Sequence, residues 1–148
     1  MHWYLDCEFD GHTGPLLSLA LVSEKTGLDL YCVVTGVEAL DSWVLKNVIP
    51  NLYYRGAHVK FFEVPLHHVG DILRQQIQSG DTIIADSPVD IYRFCQALST
   101  DSDGLWASTD FLRLNFEVIN IDCYPTDLGG AIQHNAWWDA QALKRKLT

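Results

Sequence analysis

A chain of 148 residues, 48% hydrophobic and 20% charged with five prolines, has the make-up of one globular domain, large enough to bury about two thirds of its unfolded surface. No apolar run approaches the ~20 residues of a membrane span, and Met1-His2-Trp3-Tyr4 lacks the charged and apolar regions of a signal peptide. Ten Lys and Arg against nineteen Asp and Glu leave a formal charge of −9, which argues against a long duplex held by a broad basic surface; either the partner is small, or bound metals and a local basic patch offset the repulsion.

Four cysteines (Cys7, Cys32, Cys95 and Cys123) stand far apart with no Cys-x-x-Cys spacing. That pattern fits neither a zinc site nor a disulfide framework and suits a reducing cytoplasm. In chain order, Trp3, Leu5, Cys7 and Phe9 alternate with Tyr4, Asp6, Glu8 and Asp10, the period of a strand. Gly11 to Pro15 reads as a turn. Two apolar runs, 16–23 and 28–34, flank a tight connection at Glu24-Lys25-Thr26-Gly27. The three strands predict an antiparallel meander.

Residues 37–48 carry a helical pattern (Leu40, Trp43, Val44, Val48) that Pro50 closes. Residues 51–60 are loop-like, and 61–64 form a short extended segment. Leu66, Val69, Leu73 and Ile77 predict a helix over 66–79 that Gly80 ends. A buried strand over 81–86 follows, then a helix from Pro88 to Leu98. Residues 116–123 are the last strand candidate, and Asn135 is placed to cap a final helix over 136–146. This order predicts an α/β fold with a mixed five-stranded sheet: an antiparallel meander, then parallel strands reached through helical crossovers, with helices on both faces. No repeat or linker divides residues 1–148, so they read as one domain. The first strand is central, and ligands in such sheets gather at the carboxyl ends of the strands.

Asp6 and Glu8 project from one face of their strand, about 6.6 Å apart along it. Held together they repel, and a hard cation that prefers oxygen ligands, such as magnesium, removes the repulsion; alternatively, they line the wet face of an edge strand. Asp86 ends the strand over 81–86, and Asp90 falls in the first turn of the next helix, where the backbone dipole favours an anion. If Asn135 caps the last helix, Asp139 lies one turn inside it and His134 just ahead of it. Each acidic place taken singly is also an ordinary structural feature.

Taken together, Asp6-x-Glu8, Asp90 and His134-x4-Asp139 resemble the three exonuclease motifs of the DEDDh family, which has a ribonuclease H-like fold. The likeness is nearest to the compact bacterial and phage single-domain 3′–5′ exoribonucleases of the mycobacterial type. Those proteins share a strand like Leu17-Ser18-Leu19-Ala20-Leu21-Val22 and a segment like Ser42-Trp43-Val44-x-x-Asn47-Val48-x-Pro50. The resemblance spans nearly the whole chain. It departs at Asp86-Ser87-Pro88, where relatives often carry Asn, Gly or aromatic residues, so Asp86 competes with Asp90 as the ligand; Asp90 is favoured because it lies at the helix start, where family members keep theirs.

The resemblance implies release of nucleoside 5′-monophosphates from the 3′ end of a single strand, RNA favoured over DNA. Two Mg²⁺ ions would serve, with Mn²⁺ able to substitute, and such ions stand about 3.5–4 Å apart. By that resemblance Asp6 would be shared between both, Glu8 and Asp139 would complete the one that holds the water, and Asp90 would reach the other through water. His134 is then the general base, since imidazole titrates near neutral pH. Phe9, Trp43 and Trp137, with Trp138 as a further candidate, offer stacking surfaces for bases. No more than one of Trp137 and Trp138 is expected to touch substrate. Lys144-Arg145-Lys146 is a short basic stretch at the last helix end. A binding module of the same fold without activity, a DNA-directed exonuclease, and a metal-dependent phosphatase or endonuclease are the alternatives. Monomer and homodimer are left open.

Overall fold

The computed structural model describes residues 1–122 and 124–148. Strand β1 runs from His2 to Phe9, and its alternation divides the molecule into two cores. Trp3, Leu5 and Cys7 enter one buried cluster, whereas Tyr4 enters the other on the opposite face. β2 (Leu16–Ser23) is buried along its whole length, and β3 (Leu30–Val34) is buried likewise. Near-continuous apolar runs such as LLSLALVS are what a strand covered on both faces requires.

Helix α1 (Ser42–Asn47) and a 3₁₀ turn over Ile49–Asn51 follow, then β4 (Lys60–Val64), α2 (Leu66–Gln76), β5 (Thr82–Ala85) and α3 (Pro88–Leu98). β6 (Asn115–Val118), a 3₁₀ turn at Pro125–Asp127 and α4 (Ala136–Leu147) complete the chain. The sheet has six strands in the order β4-β3-β2-β1-β5-β6. β2 is antiparallel to β1 and β3, and the other pairings are parallel. Val69 and Leu73 of α2 and Phe94 of α3 pack on the face of Leu5. Ala136, Trp137, Ala140 and Leu143 of α4 cover the face of Tyr4. Among the described residues no helix is long and apolar enough to cross a membrane.

Three expectations need correction. The sheet has six strands rather than five, because Lys60–Val64 pairs in parallel with β3 from Leu30 to Val34. It is a half-exposed edge strand without clean alternation, so only its partner identifies it. The helix expected over 37–48 starts at Ser42, because the Asp10 carboxylate accepts from Leu40 N at 2.8 Å and Asp41 N at 3.0 Å. Asp41 then caps the helix by accepting from Val44 N at 3.0 Å, which leaves Leu40 exposed. The last strand ends at Val118, since β5 has four residues to pair with and the final bond, Ile119 N to Ala85 O, is 2.8 Å. Its expected end at Cys123 lies outside the described residues.

Helix α4 is fastened at both ends. Asn135 accepts from Trp138 N at 3.1 Å, and its amide donates to the carbonyls of Asn51 and Tyr54, each at 2.7 Å. Trp137 Nε1 and Gln141 Nε2 donate to Asp29 Oδ2 at 3.2 and 2.6 Å. Lys144 Nζ reaches Ser23 O at 2.6 Å. Gly56 leaves room for the Trp137 ring: a Cβ there would stand 2.6 Å from Cη2.

Candidate active site

β1 presents Asp6 and Glu8 on the face that α4 covers, and their antiparallel partners on β2 are Ala20 and Ser18. Small partners leave the carboxylates room on a face otherwise filled by core. β5 ends at Ala85, so Asp86 follows directly, and Ser87 caps α3 by accepting from Val89 N at 3.2 Å. That cap places Asp90 in the first turn, buried, where its Oδ1 accepts from Cys7 N at 3.1 Å. Asp139 lies in the first turn of α4.

These three segments bring five carboxylates together as two groups. Oxygen atoms of Asp6, Glu8 and Asp139 lie within 4.8 Å of one another, as do those of Asp6, Asp86 and Asp90. Asp6 belongs to both. Opposed oxygens around Mg²⁺ stand roughly 4.2 Å apart, twice the metal–oxygen distance, so each group needs little contraction to close on such an ion. The donors are all carboxylate oxygens, the chemistry that suits Mg²⁺ and Mn²⁺. Asp86 and Asp90 both stand close to Asp6.

Crowding is visible in the titration of the groups. Burial raises the Asp6 carboxyl well above the usual range, and the charges of Asp90, Glu8, Asp139 and Asp86 add to it. Glu8 is raised well above its usual range by burial and then by Asp139 and Asp90. Burial pushes Asp90 up to about 7, helped by Asp86 and opposed by the Cys7 N–H. Asp139 is also pushed up to about 7 by burial, against the backbone N–H groups of His134 and Asn135. Asp86 is raised by burial. Such a set cannot hold all its charges cheaply without a cation.

His134 has φ of 58°, a left-handed conformation uncommon outside glycine. It lines a cleft of about 150 Å³ with Asp6, Asp86 and Asp139, and Tyr124 and Gln133 complete much of the wall. The Trp43 ring meets the imidazole edge-on at a centroid distance of 4.9 Å and remains 53% exposed. A second clasp, Asn51 Nδ2 to Gln133 O at 3.2 Å, ties the residues after α1 to the segment bearing His134.

The other two aromatic candidates lie elsewhere. Phe9 packs on the α2–α3 side of the sheet, with the Arg93 guanidinium carbon 4.9 Å from its ring centre. Trp137 is core, 8% exposed with its indole bonded to Asp29, because the first turn of α4 rotates Trp137 inward and leaves Asp139 at the cleft. Trp138 is half-buried against the same core. Asp122, Tyr124 and Gln133 line the cleft without having been singled out in the sequence. Gln133 adjoins the His134 motif and could have been found from it, whereas Asp122 and Tyr124 carry no local signal. No known family model matches the chain, and no curated protein matches it.

Proposed function

We propose that the chain is a metal-dependent 3′–5′ exonuclease of the DEDDh type on a ribonuclease H-like fold, acting on single-stranded RNA. The observation that supports this reading most is the shared position of Asp6 between two carboxylate groups, with His134 on the same cleft. Two adjacent oxygen-donor sites with a common ligand suit a pair of divalent ions, and a nearby imidazole supplies a base. Glu8 and Asp139 would hold one ion with Asp6, and Asp86 and Asp90 the other. When bound, such a pair activates water and neutralises charge on a phosphodiester.

The protein's own part is positional and protolytic. His134 takes a proton at its imidazole ring from the attacking water, the role of a general base. His134, with its left-handed backbone, stands close enough to Asp139 for its N–H and that of Asn135 to favour the charged carboxylate. Trp43 buttresses the imidazole and offers its exposed surface to a terminal base.

A 5′-labelled single-stranded RNA incubated with Mg²⁺ tests the reading. A ladder that shortens from the 3′ end, with nucleoside 5′-monophosphate released, is expected. Internal cuts would make the protein an endonuclease, and intact RNA with retained binding would make it a binding module. A matched DNA oligomer degraded faster than the RNA would reassign the substrate.

A further inference from the structure

Arg93 is a buried cation without an anionic partner. It is 5% exposed in the middle of α3, and among the described residues no carboxylate oxygen lies within 4.0 Å of it. Its Nη2 donates to the carbonyls of Gly11 at 3.3 Å and His12 at 3.1 Å, while the buried Nε has no partner. Carbonyl dipoles and the Phe9 ring soften the loss of water but leave the charge uncompensated. In a chain with nineteen acidic residues, a buried arginine left without one is a notable omission.

The side chain lines a groove of about 490 Å³ none of whose residues is acidic. His12, Thr13 and Gln96, all exposed, add polar side chains, and Leu16, Val34 and Leu66 form an apolar wall. The Tyr92 ring, 58% exposed, borders the same space with its centre 5.8 Å from the guanidinium carbon. A volume in this range holds a small organic ligand. A guanidinium matches phosphate, and an exposed aromatic beside it matches a base.

We propose that this groove is a phosphate-binding site for a nucleotide unit, separate from the acidic cleft and independent of how that cleft is read. Arg93 holds the phosphate, His12, Thr13 and Gln96 surround it, and Tyr92 supports the base. The phosphate belongs either to a free nucleotide or to the backbone of a strand.

The test is the melting temperature of the full chain in EDTA at constant ionic strength, titrated with inorganic phosphate, AMP or an unphosphorylated oligonucleotide. Inorganic phosphate and AMP are expected to raise it, AMP at lower concentration. A rise with the oligonucleotide as well assigns the site to a strand, and a rise with phosphate and AMP only assigns it to a free nucleotide. Thr13→Glu and Gln96→Glu each place a carboxylate in the groove without disturbing the buried arginine. Each should weaken AMP binding about tenfold or more, the scale of a charge-assisted bond lost. Asp6→Asn should leave the response intact. No rise with any of the three probes, an equal rise in both groove variants, or loss of the rise in Asp6→Asn overturns the proposal.

Discussion

Asp6 and His134 line the same cleft; the proposed function gives them different duties, and single substitutions separate them. Replacing Asp6 with Asn removes the oxygen common to both carboxylate groups and one of the buried charges that raise its neighbours. Metal-free Asp6→Asn should therefore melt no lower than the wild type, while the stabilisation that Mg²⁺ or Mn²⁺ gives the wild type should vanish. Differential scanning calorimetry with and without the ion checks both halves. A wild-type melting point indifferent to both ions would remove the shared metal site. His134→Ala should keep the metal-induced stabilisation, because its imidazole belongs to neither group. Its turnover on a 3′ single strand should fall by about 10²–10⁴-fold, the usual contribution of general acid–base catalysis. Near-normal turnover would leave the imidazole a packing partner of Trp43 and nothing more.

At the scale of elements, the cleft depends on how α4 enters the fold. Asn135 supplies a helix cap through its side-chain oxygen and two buried donors through its amide. The Asn135→Asp variant retains the cap but sets a carboxylate against the carbonyls of Asn51 and Tyr54. The Asn135→Ala variant loses cap and donors together. Loss of a cap costs about 0.5–2 kcal/mol, and each hydrogen bond lost to the partly buried carbonyls adds about 0.5–1.5 kcal/mol. Both variants should thus melt several degrees lower, with Asn135→Asp no better than Asn135→Ala despite its retained cap. If Asn135→Asp melts like the wild type, the bonds to Asn51 and Tyr54 contribute nothing. The same logic explains the approach of α2 to α3: at Gly70 a Cβ would meet the Ala97 carbonyl oxygen at 2.5 Å, so the two helices touch through backbone.

For the whole molecule, crowded carboxylates make stability depend on pH. Asp90 and Asp139 titrate at about 7 in the folded chain against an ordinary value of 3.8. The folded state then binds more protons than the unfolded state between about pH 4 and 7. Their contribution to stability is fully present below the lower value and is lost as pH rises through the upper one. Metal-free protein should accordingly melt lower at pH 8 than at pH 5.5, and saturating Mg²⁺ should shrink or reverse the difference, since ion binding displaces the protons. Asp81 works at the other end. Burial opposes its ionisation, but hydrogen bonds from Gln78 N and the Trp3 indole hold it below the usual range. Its contribution is present above about pH 4 and fades only in stronger acid, outside the window. A metal-free melting point that is flat or rising from pH 5.5 to 8 would contradict the crowded site.

Local chemistry in the chain was enough for much of this architecture. Alternation from Trp3 to Asp10 put Asp6 and Glu8 on one face, and the apolar runs of β2 and β3, with the short turn between them, marked two further strands of a meander. Asn135 ahead of Ala136 marked the start of α4, and Pro88 the start of α3, because caps and proline act within a turn of where they stand. Tertiary structure alone decided what depends on a distant partner. Lys60–Val64 is a strand because β3 offers it an edge, and Trp137 is core because the rotation of α4 is set by the Asn135 clasp and Asp29. Asp86 stands with Asp6 and Asp90 because β5 ends one residue before it, beside β1. Arg93 lies buried with no carboxylate oxygen within 4.0 Å among the described residues because α3 packs against the loop after Phe9. Pattern along a chain records the faces of its elements, but the rotation and pairing of those elements come from long-range packing.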